Sequence, residues 1–199
     1  VIFLQEIDKQ SLKILSRLLN TNMFWVKAQH KGNGLLTPYK IISQQGIKLF
    51  TTKRDEYRSA IKAKIQTEMG KIIFVGTHLE HKYEDLRVKQ FNILKPYLYD
   101  VDFLIGDLNS LYLDDYNKKK LDQITLLRKN ENWELPRNDL INLVINNHFN
   151  IYKYTGSTCR YDTRIDYITH INKWKTQQII KDCISCNLSD HNIVIAEVQ

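Results

Sequence analysis

The chain has 199 residues, of which 43% are hydrophobic and 26% charged, and a formal net charge of +7. This length and balance predict one globular domain with a large core. They exclude a membrane-spanning helix, because no apolar run approaches the roughly 20 residues that a span needs. The surplus of positive charge fits a nucleic-acid substrate, with a generally basic soluble surface as the alternative.

The cysteines predict a reducing environment. Cys159, Cys183 and Cys186 are odd in number and clustered late in the chain, which argues against a disulfide framework. Zinc at the C-x-x-C pair would need a second ligand pair, for which only Cys159 and scattered histidines are available. We therefore expect reduced thiols and an intracellular protein, cytoplasmic or nuclear.

The first elements are a short strand over residues 1–4 and a helix over residues 11–19, where apolar residues recur at helical spacing. Asp8 or Ser11 is the predicted cap of that helix. Glu6 lies at the carboxyl end of the strand. A Glu buried there would need a partner, for which a metal is common and an Arg or a cap is the alternative.

Further short strands are predicted over residues 23–27, 34–42, 47–52, 60–67, 71–78 and 102–105. Pro38 interrupts the second of these, as in an edge or bulged strand. A cluster of basic residues later in this region forms either a phosphate-facing rim or a solvated strand face. Its members are Lys53, Arg54, Arg58, Lys62 and Lys64.

A strand–helix–strand unit is predicted over residues 71–105. Residues 84–95 form its helix, with Val88, Phe91 and Leu94 on the apolar face. Parallel strands joined by a helix end at the same edge of a sheet. We therefore expect His78 and Asp107 to lie at that edge.

The second half of the chain is predicted to hold helices near residues 121–127 and 139–147 and strands over residues 149–154, 164–169, 178–184 and 193–198. Residues 112–137 are expected to determine substrate specificity. Trp133, Tyr112 and Tyr116 could stack on bases there, with ordinary aromatic packing as the alternative.

Residues 103–110, FLIGDLNS, form a predicted buried strand that stops at Gly106. Asp107 and Asn109 follow in a tight loop. Ligands bind at the carboxyl ends of strands in α/β sheets, so these side chains could orient a nucleophile and hold a phosphate or a hydrated metal. An Asp–x–Asn turn that caps its own backbone is the alternative.

Polar residues at or near strand ends recur along the chain, at Glu6, His78, Asp107, Asn109, Asp166, Asp190 and His191. Together they supply what hydrolysis of a phosphodiester requires. Glu6, with Asp190, offers hard oxygen ligands for Mg²⁺ or Mn²⁺. Such an ion polarises phosphoryl oxygens and stabilises a leaving oxyanion.

The remaining members of this set have complementary chemistry. A carboxylate such as Asp166 would fix the tautomer of His191. Asp107 could orient or deprotonate an attacking water. Asn109 and His78 would donate hydrogen bonds to non-bridging oxygens as charge develops on them.

Several segments of the chain form a recognisable series, namely LQEID (4–8), GNGLLTPYKI (32–41), GTHLEH (76–81), Arg87 with Gln90, GDLNS (106–110), RIDYI (164–168) and SDHNIVIAEV (189–198). In these segments and their order the sequence resembles the endonuclease/exonuclease/phosphatase superfamily, the metal-dependent phosphohydrolases shaped like pancreatic deoxyribonuclease. THLE, followed by an Arg and a Gln on the next helix, is similar to the tyrosyl-DNA phosphodiesterases.

The resemblance implies an α/β (α+β) fold, a four-layer α/β/β/α sandwich of two mixed β-sheets with helices outside. It also implies a role for each motif residue. Glu6 and Asp190 would lie at the metal, and His78 would contact the scissile phosphate. Asp107 and Asn109 would position water and phosphate, while Asp166 would orient His191.

One departure from the family concerns the start of the chain. The family usually opens with a strand whose Asn helps to hold the metal, and this strand has no counterpart before Val1. We therefore expect residues 1–199 to be a single domain that lacks its N-terminal strand. Either the chain is a fragment of a longer protein, or its metal binding is weakened.

The expected function is that of a monomeric, Mg²⁺- or Mn²⁺-dependent phosphodiester hydrolase, a nuclease or DNA-repair phosphodiesterase acting by metal-assisted attack of water. The alternatives are an inositol-phosphate phosphatase, a sphingomyelinase-type esterase and a catalytically impaired binding module of the same fold.

Overall fold

The computed structural model describes residues 1–29, 31–50, 57–153 and 156–198. The chain divides into two compact units, the first formed by residues 1–79 and 89–107 and the second by residues 80–88 and 108–199. Among the described helices, none is long and apolar enough to cross a membrane.

The first unit contains two groups of strands. The three-stranded sheet has the order β1-β3-β2 with antiparallel neighbours, and consists of β1 (Ile2–Ile7), β2 (Asn22–Lys27) and β3 (Gly32–Thr37). The second group pairs in the order β4-β5-β6-β7, and consists of β4 (Lys40–Phe50), β5 (Tyr57–Thr67), β6 (Gly70–His78) and β7 (Phe103–Asp107). Strands β4, β5 and β6 pair antiparallel, and β7 joins β6 in parallel.

Apolar side chains pack between these sheets. Leu35 of β3 is buried against Ile61 and Ala63 of β5. Close approach also depends on Gly76, where an added Cβ would come within 2.3 Å of the Phe3 ring. The mixed α/β sandwich predicted for the chain is therefore confirmed in its central packing.

Helix α1 (Lys9–Leu18) covers the opposite face of β3. Leu12 is fully buried and packs where a Cβ of Gly34 would point. Asp8 caps the helix, since its Oδ1 accepts a hydrogen bond from Ser11 N at 2.8 Å. One of the two predicted caps is thus confirmed.

Two strand boundaries differ from the prediction. The predicted strand over residues 34–42 is two strands, because Pro38 lies between β3 and β4 and has no N–H to donate. The predicted stop at Gly106 is also wrong, because β7 continues through it to Asp107. Gly106 has a φ of +125°, and a Cβ there would lie 2.0 Å from Thr77 O, so only glycine lets the strands pair this closely.

Helix α2 (Glu84–Leu94) follows β6 in the chain, and Phe91 and Leu94 on its predicted apolar face are fully buried. The second unit contains α3 (Lys118–Asn130), α4 (Asp139–Asn146), β8 (Asp166–His170), β9 (Thr176–Lys181) and β10 (Ile193–Val198). Strands β9 and β10 pair antiparallel over their whole length.

Most predicted elements of the second half are confirmed with shifted ends. The predicted strand over residues 149–154 is reduced to one bridge between Asn150 and His170. Its last residue, Tyr154, lies outside the described part of the chain, as do Thr51, Thr52, Lys53 and Arg54.

Candidate active site

His78 and Asp107 end the parallel strands β6 and β7 at the same register. His78 Nε2 lies 3.6 Å from Asp107 Oδ2, and the two side chains are 12% and 7% exposed. Leu79 N donates to Asp107 O at 3.0 Å, which joins the chain beyond β6 to the end of β7. The predicted strand–helix–strand arrangement is confirmed and brings these two residues together.

Arg58 of β5 adds a positive charge beside His78. Its Nη1 lies 3.4 Å from His78 Nε2, and a guanidinium can only donate, so Nε2 is the acceptor in this contact. Lys62, on the same strand, instead forms an ion pair with Asp100 and thereby lowers the pKa of that carboxyl. Arg58 is thus a described member of the predicted basic rim that lies beside His78.

Asn33 is a residue that sequence reasoning missed. It is 2% exposed, and its Nδ2 donates to Ser59 O at 2.6 Å. Ser59 stands opposite His78 in the pairing of β5 with β6, and Thr77 Oγ1 also donates to its carbonyl at 3.2 Å. Asn33 thus ties the smaller sheet to the backbone beside His78. Its place within GNGLL was the only sequence feature that singled it out.

Glu6 lies where β1 becomes irregular. The register between β1 and β3 shifts between Leu4 and Ile7, and Glu6 has a φ of +52°. Glu6 is exposed, so it does not need the partner that a buried Glu at this position would require. A left-handed, non-glycine residue costs free energy of the order of 1 kcal/mol or more, and such strain is concentrated at functional sites.

In the second unit, Asp166 and His191 form a pair. His191 Nδ1 lies 2.8 Å from Asp166 Oδ2, and the side chains are 31% and 12% exposed for His191 and Asp166. Since an ionised carboxylate only accepts, the proton in this bond is on Nδ1 of the histidine. Nε2 of the neutral ring is then left with its lone pair.

Thr158, which sequence reasoning also missed, holds the backbone on both sides of this pair. The residue is fully buried, and its Oγ1 accepts from the amides of Ile165 and Asp166, each at 3.0 Å. Its carbonyl accepts from Asn192 N at 2.9 Å. The Thr158 side chain therefore anchors the start of β8, and the Thr158 backbone anchors Asn192, the residue after His191.

Asp190 precedes His191 and is exposed. Its carbonyl accepts a hydrogen bond from Arg160 N at 3.1 Å, and Cys159 forms a β-bridge with His191. Burial raises the pKa of the Cys159 thiol. The segment 159–160 is thus a backbone partner of both residues.

The loop that follows Asp107 is held in an unusual conformation. Asn109 has a φ of +52°, and Leu108 N donates to Ile165 O at 2.9 Å. Tyr167 Oη donates to Ser110 O at 2.8 Å. These contacts join the loop to the two ends of the RIDYI segment, on either side of Asp166.

The two residues predicted to hold a metal, Glu6 and Asp190, are exposed carboxylates, which suit a hard divalent cation. Carboxylate oxygens are preferred by Mg²⁺ and Mn²⁺. All three cysteines are free, with Cys186 exposed and the other two buried.

The fold is shared with solved proteins of the endonuclease/exonuclease/phosphatase family. Such a protein from Bacteroides vulgatus has a TM-score of 0.67 and 16% identity over 99% of this chain and 83% of that one. D. rerio TDP2, solved with a single-strand DNA product, has a TM-score of 0.65 and 15% identity over 99% and 84% of the two chains. The Bacteroides thetaiotaomicron VPI-5482 mannosyl-6-phosphatase Bt3783 has a TM-score of 0.63 and 14% identity over 96% and 81%.

These similarities confirm the predicted resemblance at the level of the fold. No protein-family model matches the sequence, and no curated protein matches it.

Proposed function

We propose that this protein is a divalent-metal-dependent phosphodiester hydrolase that acts on nucleic acid. The observation that carries the proposal is the 2.8 Å hydrogen bond between His191 Nδ1 and Asp166 Oδ2. A carboxylate that holds Nδ1–H leaves Nε2 to take up a proton and donate it to an oxyanion. The fold neighbours named as phosphatases and as TDP2 support a phosphoester substrate.

Glu6 and Asp190 would hold the metal, Mg²⁺ or Mn²⁺. Both carboxylates are exposed, and oxygen donors suit either ion. When bound, the metal would polarise the phosphoryl oxygens and stabilise the leaving oxyanion.

The protein's own side chains would carry the other parts of the reaction. Asp107 would orient a water and accept its proton as the water oxygen bonds to phosphorus. The bond from phosphorus to the leaving oxygen breaks, that oxygen takes up a proton from solvent water, and Asp107 returns the proton it accepted to the solvent. Asn109, His78 and His191 would donate hydrogen bonds to the non-bridging oxygens, whose negative charge grows in the transition state.

An exposed aromatic pair supports a nucleic-acid substrate. Trp133 and Tyr161 are 39% and 42% exposed and meet edge to face, with ring centroids 4.9 Å apart. The Arg160 guanidinium lies 5.0 Å from the centre of the Tyr161 ring. Aromatic faces with a cation beside them stack on bases irrespective of sequence. Because Arg160 N also donates to Asp190 O, this platform adjoins a proposed metal ligand.

Tyr116, another member of the expected stacking set, differs in role. Tyr116 Oη accepts a hydrogen bond from Arg164 N at 2.8 Å, and burial raises the pKa of Tyr116 to about 12. A hydroxyl occupied in this way indicates that Tyr116 packs inside the unit, so the platform we propose is Trp133 with Tyr161.

One alternative keeps specific support. The mannosyl-6-phosphatase neighbour favours a small phosphomonoester, in the same class as the inositol-phosphate phosphatases. A sphingomyelinase-type esterase and a binding module without activity also fit the fold.

The three free thiols support an intracellular location, where nucleic-acid repair takes place.

The test is turnover of a substrate panel with Mg²⁺, with Mn²⁺ and with EDTA. The panel contains single- and double-stranded DNA, RNA, 5′-tyrosyl DNA, inositol phosphates, mannose 6-phosphate and sphingomyelin. We expect hydrolysis of a nucleic-acid member that EDTA abolishes and that His191→Ala lowers by about 10²-fold or more. His148→Asn, an exposed histidine with positive φ, is the matched control and keeps full activity.

Each other outcome selects an alternative. Turnover of a small phosphomonoester alone favours the phosphatase, and turnover of sphingomyelin favours the esterase. Absence of turnover on every member favours the binding module. Activity that survives His191→Ala contradicts the proposed site.

A further inference from the structure

The loop bearing Asn109 has a left-handed residue, since Asn109 has a φ of +52°, a conformation that asparagine adopts more readily than most residues. The next residue, Ser110, is 2% exposed and is bound through both its side chain and its backbone. Its Oγ lies 3.0 and 3.1 Å from the two carboxylate oxygens of Glu84. Its carbonyl accepts from Tyr167 Oη at 2.8 Å. Asn109 is thus held at its C-terminal side by buried groups.

Glu84 is the centre of a buried network in the second unit. The residue is 1% exposed, although it stands in the first turn of α2. Its Oε1 accepts from Leu140 N at 2.8 Å, and its Oε2 accepts from Arg87 Nε at 2.7 Å. The Ser110 hydroxyl completes this set of donors. A buried carboxylate with this many partners has a fixed position, and so does each group that it binds.

Arg87 extends the network to the segment that follows His78 in the chain. Its Nη1 donates to the carbonyls of Glu80 and His81, at 3.2 and 3.1 Å, and its Nη2 donates to Glu134 Oε2 at 2.8 Å. The network therefore joins the chain after the THL motif, the GDLNS loop and the start of α4.

We infer that Glu84 is a positioning residue for the hydrolysis proposed above, acting through Ser110 on the conformation of Asn109. The inference rests on the proposed function for its catalytic consequence. The structural part of the inference, that the Glu84 carboxylate holds the 108–112 loop, does not depend on the proposed function. Glu84 is also suited to a purely stabilising role, so the test must separate positioning from stability.

The test compares Glu84→Gln with the matched control Glu134→Gln. Both remove a carboxylate partner of Arg87, but Glu84 alone of these two accepts from Ser110. With bis(p-nitrophenyl) phosphate and Mg²⁺, we expect Glu84→Gln to lower kcat by about tenfold to 10²-fold with little change in KM. Glu134→Gln stays within about twofold. An equal loss of kcat in the two variants overturns the inference.

A double-mutant cycle with Asn109→Ala gives a readout that a merely structural role would not move. If Glu84 acts through Asn109, Glu84→Gln causes no further loss of kcat in the Asn109→Ala background. Additive losses overturn the inference. Ser110→Ala removes only the hydroxyl donor and, should Glu84→Gln fail to fold, takes its place in the same cycle.

Hydrogen–deuterium exchange tests the positioning without any substrate. The amides of Leu108 and Tyr112 are hydrogen-bonded, to Ile165 O and to Tyr167 Oη. Glu84→Gln or Ser110→Ala should speed exchange across residues 108–112, whereas Glu134→Gln should not. Unchanged exchange overturns the inference, even in an active enzyme. If these variants exchange faster but the wild-type protein hydrolyses no substrate, the result supports the positioning and counts against the proposed function alone.

Discussion

His191 Nδ1 and Asp166 Oδ2 lie 2.8 Å apart, although 25 positions separate the two residues in the chain. The contact depends on Thr158, which binds the amide of Asp166 through its hydroxyl and the amide of Asn192 through its carbonyl. The imidazole is therefore oriented by the start of β8 and by the segment before β10, both held by Thr158. A fixed orientation of this kind is what the proposed contact with a phosphate would require.

Asp166→Asn tests this orientation. The carboxamide keeps the size of the side chain but can turn its NH₂ to His191, which then favours the other tautomer. We expect kcat for the substrate found in the panel to fall by about 10²-fold or more with unchanged folding. Asp162→Asn is the control, because Asp162 is an exposed aspartate with positive φ that asparagine tolerates. Equal activity of the two variants would contradict a role for the pair.

Arg58→Gln tests the positive charge beside His78. Hydrogen bonds to charged groups contribute about 1.5–3 kcal/mol, so we expect kcat/KM for an anionic substrate to fall by about tenfold or more. Lys62→Gln is the control on the same strand, since Lys62 is paired with Asp100. Steady-state kinetics at several salt concentrations measure both. A larger loss in Lys62→Gln would refute the assignment to Arg58.

Gly106→Ala tests the close pairing of β6 with β7. The added Cβ would meet Thr77 O at 2.0 Å, so we expect the free energy of unfolding to fall by well over about 1 kcal/mol. Gly70→Ala is the matched control, because Gly70 has a φ of +105° but no heavy atom within 4 Å of an added Cβ. Urea denaturation of both variants separates backbone strain from the clash. Equal losses would mean that the clash relaxes at no cost.

Trp133→Ala and Tyr161→Ala test the aromatic platform. Stacking of a base contributes about 1–3 kcal/mol, so each variant should bind single-stranded DNA roughly tenfold more weakly. Tyr99→Ala, at a tyrosine that is 97% exposed, should bind as the wild type does. Fluorescence anisotropy with a labelled oligonucleotide measures the dissociation constants. Unchanged affinity in both platform variants would remove this support for nucleic acid.

Tyr116 should make stability depend on alkaline pH. Burial raises its pKa from 10.0 to about 12 in the folded protein. The unfolded chain therefore loses this proton first, so stability is complete below pH 10 and falls as the pH rises to about 12. Two pKa units correspond to about 2.7 kcal/mol.

The measurement is the unfolding free energy across this pH range in the wild type and in Tyr116→Phe. The variant should lose about 2.7 kcal/mol less between pH 10 and 12. It should be less stable at neutral pH, because Arg164 N loses its acceptor. If the unfolding free energies of the two proteins changed with pH in parallel, Tyr116 would be excluded as the source of the pH dependence.

Local patterns predicted the regular elements well. Apolar spacing marks α1, α2 and α4, and continuous β-prone runs mark β6, β7 and β10, because one or both faces of each of these elements are buried. The motif residues were found for a similar reason, since each stands at the end of such a run. The order of those motifs was also enough to indicate the fold.

Burial of polar residues could not be predicted in this way. Glu84 and Arg87 lie in a helix whose pattern indicates an exposed polar face, yet both are buried. Their partners are distant in sequence, with Leu140 lying 56 positions from Glu84. Conversely, Glu6 follows an apolar run but is exposed, because β1 becomes irregular at that point.

The sequence by itself determined most of the helices and strands and the polar residues at the strand ends, through local hydrophobic periodicity and residue chemistry. Its resemblance to a known family indicated the fold. Only the tertiary structure decided that β7 continues through Gly106, that Arg58 lies beside His78 and that Glu84 binds Ser110. Each of these depends on a partner that is brought close only when the chain folds, and no local pattern encodes which partner that is.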